Sequence, residues 1–138
     1  MVDRPDLGAL FAHVTRRLVD AETPILAAHA LTMWEYVALS ALEREAAPTQ
    51  LVLARTIRYD KTRLIALLDG LETRGLVTRH PDPADRRARV VSLTADGVRV
   101  LAEARTDIRA MEEGVLGELD AAERTVLLRA LPRLAEPA

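Results

Sequence analysis

Arginine and lysine are unevenly spread along these 138 residues. Between positions 55 and 89 stand Arg55, Arg58, Lys61, Arg63, Arg74, Arg79, Arg86, Arg87 and Arg89. Asp60, Asp69, Glu72, Asp82 and Asp85 share that window, so nine basic groups face five acidic ones, a surplus of four. The rest of the chain has ten basic and sixteen acidic residues, a deficit of six, and the overall charge of −2 hides the contrast. A local cationic stretch of this kind suits a polyanion. Its guanidinium groups can pair with phosphate or, in bidentate fashion, with the edge of guanine. A helical protein with a solvated basic face is the plainer reading of the same charges.

Other chemistries find little support. There is no cysteine, which excludes disulfides, thiolate-bound zinc and thiol redox sensing. His13, His29 and His80 are scattered without metal-ligand spacing. No serine, histidine and aspartate arrangement and no glycine-rich phosphate loop is present. The carboxylates fall at helix caps and helix exteriors. We therefore expect neither an enzyme nor a metal or cofactor. The length fits one domain, and nearly half the residues are apolar, enough for a core. No apolar run reaches a membrane-spanning length, and the first residues lack the basic head and apolar body of a secretory signal. A cytoplasmic protein is expected.

The elements that would carry the cations can be read from periodicity. In residues 60–94, Asp60 is a plausible N-cap, and Leu64, Leu67, Leu68 and Leu71 recur on one helical face. Gly75 stands where a helix closes in left-handed geometry. Residues 77–80 and 89–93 read as strands, joined by the turn formers Pro81, Asp82, Pro83, Ala84 and Asp85. A helix beside a hairpin tipped by Arg86, Arg87 and Arg89 is suited to duplex DNA, the helix in a major groove and the tip on a neighbouring minor groove or phosphate.

Upstream, residues 6–20 form a first helix through Leu7, Leu10, Phe11, Val14 and Leu18, and Asp20 to Pro24 should break it. Residues 25–30 would be a short helical link. A second helix, capped by Thr32 and running to about Glu45, should turn Leu31, Trp34, Val37, Ala38, Ala41 and Leu42 inward. Thr49 caps a short third helix ending at Ile57, with Leu53, Ala54 and Ile57 facing in. Arg58 and Tyr59 link it tightly to the helix at Asp60, a helix-turn-helix arrangement. Downstream, Thr94 caps a long helix over residues 95–116 with an apolar stripe of Val98, Leu101, Ala102, Ile108, Met111 and Val115. Asp120 and Glu123 outline a capping box for a last helix over residues 121–134. That helix should bury Val126, Leu127, Leu131 and Leu134, and Pro132 should distort its final turn. The terminal helices hold more apolar side chains than a thin arm can hide, so a second copy on a two-fold axis is expected.

Several blocks together resemble one family. They are Leu31-Thr32, the Thr49 to Ala54 helix, Leu71-Glu72-Thr73-Arg74-Gly75-Leu76-Val77 with Arg79, and Asp85-Arg86-Arg87 set six residues before Leu93-Thr94 and Gly97. In these the chain resembles the MarR family of winged helix-turn-helix transcription factors over nearly its whole length. The resemblance implies a mainly α fold of about six helices with a small β-hairpin wing. It implies a single domain over 1–138, with a DNA-binding unit over 31–94 and dimerisation helices over 1–30 and 95–138. It also implies a homodimer that represses, or less often activates, nearby genes by binding a pseudo-palindromic operator.

The wing arginine of such proteins typically enters the minor groove, and Arg87 is the best match. Members often carry Thr-Arg where this chain has Ile65 and Ala66, which shifts the expected base contacts to Thr62 and Arg63, with Lys61 on phosphate. The candidate DNA contacts are thus Thr49, Arg58, Lys61, Thr62, Arg63, Arg86, Arg87 and Arg89. Asp85 is read as a brace for an arginine at the wing base. Many relatives are released from DNA by small aromatic or anionic compounds held between the dimerisation helices and the winged unit. Phe11, Arg16, His29, Met33, Trp34, Tyr36 and Met111 are the candidates for that pocket. Each has a duller reading, Trp34 and Tyr36 as core or interface aromatics and His29 as a packed histidine. The competing function is a winged-helix module that binds protein rather than DNA, which would want a wing and helix face poor in arginine.

Overall fold

Helices α1 (Leu7–Ala28), α2 (Met33–Arg44), α3 (Gln50–Ile57) and α4 (Lys61–Thr73) precede a hairpin of β1 (Val77–Pro81) and β2 (Arg89–Leu93). Helices α5 (Ala95–Leu116) and α6 (Ala121–Ala135) complete the chain. This is a computed structural model, and it describes residues 3–136. The strands pair antiparallel from Val77 opposite Leu93 to Pro81 opposite Arg89. Pro81, read as a turn former, is the last strand residue. The hairpin is tied back to α3, because the Val91 N–H donates to Pro48 O at 2.9 Å and Thr49 bridges Val90.

Caps decide where the helices begin. Thr32 accepts the Glu35 N–H, and the Glu35 carboxylate accepts the Thr32 N–H, a complete capping box. Thr49, Asp60 and Thr94 each accept the N–H three residues on. Asp120 and Glu123 close a second capping box. The core gathers around α4. Leu64, Leu68 and Leu71 are wholly buried, with Leu39 of α2, Leu53 of α3, Val77, Val91 and Leu101 of α5. Leu26 of α1 joins the same cluster.

Several expectations need correction. The first helix does not break at residues 20–24. It runs through Pro24 to Ala28, and residues 25–28 are its last turn rather than a link. Pro24 cannot donate to the carbonyl of Asp20. Burying Leu26 in the core holds the next turn in place despite that missing bond. Trp34 is not inward but 40% exposed, while Leu39, which the periodicity passed over, takes a fully buried place. Val98 and Ala102 face water, while Gly97 and Ala104 join Leu101 and Ile108 as the buried residues of α5. Helix α6 continues past Pro132 to Ala135 and buries nothing; Val126 is 63% and Leu134 72% exposed. Leu7, Leu10, Phe11 and Val14 are exposed as well. Among the described residues, no part of the same chain covers these two terminal faces.

One junction joins the wing to α5 without a linker. Gly75 has φ +73, the left-handed geometry expected at the end of α4. The Thr94 hydroxyl donates to Gly75 O at 2.6 Å and accepts the Gly97 N–H at 3.0 Å. A Cβ on Gly97 would lie 2.1 Å from Leu76 O, so only glycine lets α5 start this close. Gly97→Ala should therefore lower stability by about 1–3 kcal/mol or more, as overpacking against backbone does; the urea midpoint measures it. Toward the other end of α5, burial pushes the Glu22 carboxyl of α1 up, and the charge of Glu112 adds to the effect. That carboxylate weakens the fold once ionised, and the cost sets in as pH rises from the ordinary toward the raised value. Glu22→Gln should raise the melting temperature at neutral pH, and the gain should vanish below the ordinary carboxylate range.

Candidate nucleic-acid interface

The helix-turn-helix is built by α3 and α4. Their link turns sharply at Arg58, which is left-handed with φ 54 and ψ 49. Such geometry costs a residue other than glycine about 1–3 kcal/mol. It is held by N–H bonds from Arg58 to Arg55 O at 3.3 Å and from Tyr59 to Ala54 O at 2.9 Å. Asp60 Oδ2 then accepts the Arg63 N–H at 2.9 Å and starts α4. Lys61, Thr62 and Arg63 form the exposed first turn. Ile65 is half-buried and Ala66 is exposed.

The wing tip is shaped by its own aspartates. Asp82 accepts the Ala84 N–H at 3.0 Å, and the Asp82 N–H donates to Ala88 O at 2.9 Å. Asp85 Oδ1 accepts the Arg87 N–H at 3.0 Å and lies 3.5 Å from Arg87 Nε. Asp85 thus braces an arginine as expected, but at the tip and mainly through the backbone. The Arg87 side chain is 94% exposed. Arg89 Nη2 reaches Arg79 O on the partner strand at 3.4 Å.

The nine cations divide. Arg79 is sunk into the unit. Its guanidinium donates to Asp69, to Glu72 at 2.9 Å and to Gln50 at 3.1 Å, while its own N–H donates to Glu72 at 3.2 Å. It ties α3, α4 and β1 together and is not available to a ligand. Its Nε is buried without a partner. Arg74 pairs with Glu35 of α2. Among the described residues, Arg55, Arg58, Lys61, Arg63 and Arg86 pair with no carboxylate, and all five are exposed. A cleft of about 360 Å³ brings Thr49, Lys61, Arg87 and Arg89 together with Gln50, Leu51, Asp85 and Ala88. Gln50 and Leu51 escaped the sequence reading; their adjacency to the Thr49 cap was the available signal.

The candidate effector residues do not all converge. Phe11 lies in α1 and His29 is the C-cap of that helix, five turns away, about 27 Å at 1.5 Å per residue. Phe11 and Arg16 lie on its exposed N-terminal part. His29 Nε2 lies 2.6 Å from Asp107 Oδ2 on α5, and Met111 is one turn further along that helix, half-buried. Met33 and Tyr36 pack against the core, and Trp34 stacks on Tyr59 of the α3–α4 link.

A helix-turn-helix, a hairpin wing and a cationic face shared by both define the class, a winged helix-turn-helix regulator. Residues 30–88 match the MarR family model. Transcriptional regulator HosA of Escherichia coli O111:H- is 33% identical over 104 residues, covering 75% of this chain and 77% of that protein. The transcriptional repressor CouR bound to a 23-mer DNA duplex superposes with a TM-score of 0.82 at 28% identity, covering 95% of this chain and 93% of the other. CouR from Rhodococcus jostii RHA1 bound to p-coumaroyl-CoA superposes at 0.80 and 27% identity, covering 96% and 94%. The chain belongs to the MarR family of transcriptional regulators.

The Arg79 brace is open to test. Its hydrogen bonds hold the Glu72 carboxyl below the usual carboxylate range. A depressed carboxylate stabilises the fold above its ordinary pKa, and that contribution is lost as pH falls through the lowered value. Arg79→Ala should lower stability by about 1.5–3 kcal/mol at neutral pH, the worth of hydrogen bonds to charged groups. The gap to the native chain should narrow in acid, as urea unfolding across pH will show.

Proposed function

We propose that two copies of this chain, joined through residues 1–30 and 95–138, bind a pseudo-palindromic duplex operator and repress the adjoining genes in the cytoplasm. The observation that carries this reading is the set of exposed cations without carboxylate partners on α3, the first turn of α4 and the wing. The uncovered apolar faces of α1 and α6 support the pairing, since a second copy would bury them together. Two recognition helices would enter successive major grooves roughly one helical turn, about 34 Å, apart. CouR, with which the chain superposes closely, supports both a duplex partner and a small-molecule effector. For the effector we keep His29, Met33, Tyr36 and Met111 as the inner candidates, beside Asp107 and the core. Regulation rather than catalysis also fits the carboxylates. Asp60, Asp120, Glu35, Asp69 and Glu72 are engaged in caps and ion pairs.

In this reading Arg63 contacts a base, Lys61, Thr49, Arg58, Arg86 and Arg89 contact backbone, Thr62 lies at the base edges, and Arg87 enters the minor groove. Arg63→Ala should cost about 1–3 kcal/mol on the preferred duplex and relax sequence choice at one position of each half-site. Arg87→Ala should weaken all duplexes alike and reduce the salt slope by about one. Titrations of the gene's own upstream DNA at two salt concentrations test both; unchanged affinity for each variant would refute the assignment.

A further inference from the structure

The first turn of α2 touches both ends of α4. Trp34 stacks on Tyr59 with ring centroids 4.2 Å apart and planes 24° from parallel. Tyr59 is the middle residue of the link that delivers the chain into α4. The next residue, Glu35, divides its carboxylate. Oε1 accepts the Thr32 N–H at 2.9 Å and closes the capping box, while Oε2 accepts Arg74 Nη1 at 3.3 Å. Arg74 is the C-cap of α4. Two consecutive residues therefore hold the entrance and the exit of one helix.

That turn is seated on the outer helices. The Leu31 N–H donates to Leu26 O at 2.9 Å, and His29 meets Asp107 of α5. Trp34 itself is half-exposed and faces away from the core, so filling the interior is not its main role. A stacked pair at a left-handed turn restricts the two angles that aim the following helix. We infer that Trp34 and Glu35 are positioning residues that set the pose of α4 on duplex DNA, acting through Tyr59 and Arg74. The inference rests on the DNA-binding reading above.

The test uses the full chain and two duplexes, one selected by the native protein from a randomised pool and one scrambled from it. Trp34→Ala and Tyr59→Ala should each weaken binding to the selected duplex about tenfold and leave the scrambled one within about twofold. The double variant should be no weaker than either single one, because both remove the same contact. Tyr59→Phe, which keeps the ring, should bind as the native chain does. Tyr59→Leu, which keeps apolar bulk without stacking, should fold and still lose selected binding. Glu35→Gln preserves the capping box but not the charge facing Arg74, and should weaken selected binding about threefold. Trp34 is the single tryptophan, so its emission should change on adding the selected duplex and not the scrambled one. Selected binding left intact by Trp34→Ala and Tyr59→Leu would overturn the inference. Parallel loss on both duplexes together with a lower melting temperature would also overturn it, since that is a folding role alone. Failure of the native chain to select any duplex would instead overturn the DNA-binding reading, and this inference with it.

Discussion

The burial of Leu64, Leu68 and Leu71 decides which way α4 faces, and the rest of the molecule is arranged around that choice. Each full burial of a leucine is worth about 1.5–3 kcal/mol, far more than any surface pairing nearby. With that stripe fixed inward, helical geometry leaves Lys61, Thr62, Arg63 and Ala66 outward. Leu39, Leu53, Val77, Val91 and Leu101 supply the seat from five different elements. A recognition surface is thus a by-product of core packing, and its composition can vary while the seat stays the same. The presence of Ile65 and Ala66 where relatives often carry a threonine and an arginine is a case of that freedom.

Electrostatics then sorts the cations by depth. Arg79 lies among Gln50, Asp69 and Glu72, where a planar guanidinium can satisfy several acceptors on separate elements at once. Arg74 is engaged by α2. The wing aspartates mainly fold their own loop, Asp85 touches Arg87 Nε only at 3.5 Å, and Arg86 and Arg87 stay solvated. A surplus of positive charge counted along the sequence therefore overstates what a ligand meets. The accessible part is concentrated at the C-terminal end of α3, the first turn of α4 and the hairpin tip.

What the sequence disclosed was local chemistry. Thr32, Thr49, Asp60, Thr94 and Asp120 are caps because a short oxygen side chain beside an exposed N–H acts within a few residues. The two strands of the hairpin and the leucine stripe of α4 were legible for the same reason. The misreadings all concern neighbours distant in sequence. Pro24 sits inside α1 because Leu26 is wanted by the core. Trp34 leaves the interior because Tyr59 offers a ring to stack on. Arg79 was counted with the other cations of its window because its burial needs α3 and α4 to converge. Of the candidate DNA contacts, Thr49, Lys61, Arg87 and Arg89 line one cleft, while Phe11 and Arg16 stand several turns from His29 along α1. Apolar residues of α6 were read as buried because periodicity marks an apolar face without saying whether anything in the chain covers it.

Thr94 ends the wing and begins α5 with one hydroxyl, and Gly97 lets the two lie in backbone contact. No hinge separates the reading head from the 22-residue shaft of α5. Head and shaft then form one lever, and in the proposed pair of copies a small tilt of α5 would sweep its hairpin tip through a larger arc. In that proposed pair the span between the two tips would follow from how the shafts are set against each other, as with a pair of dividers.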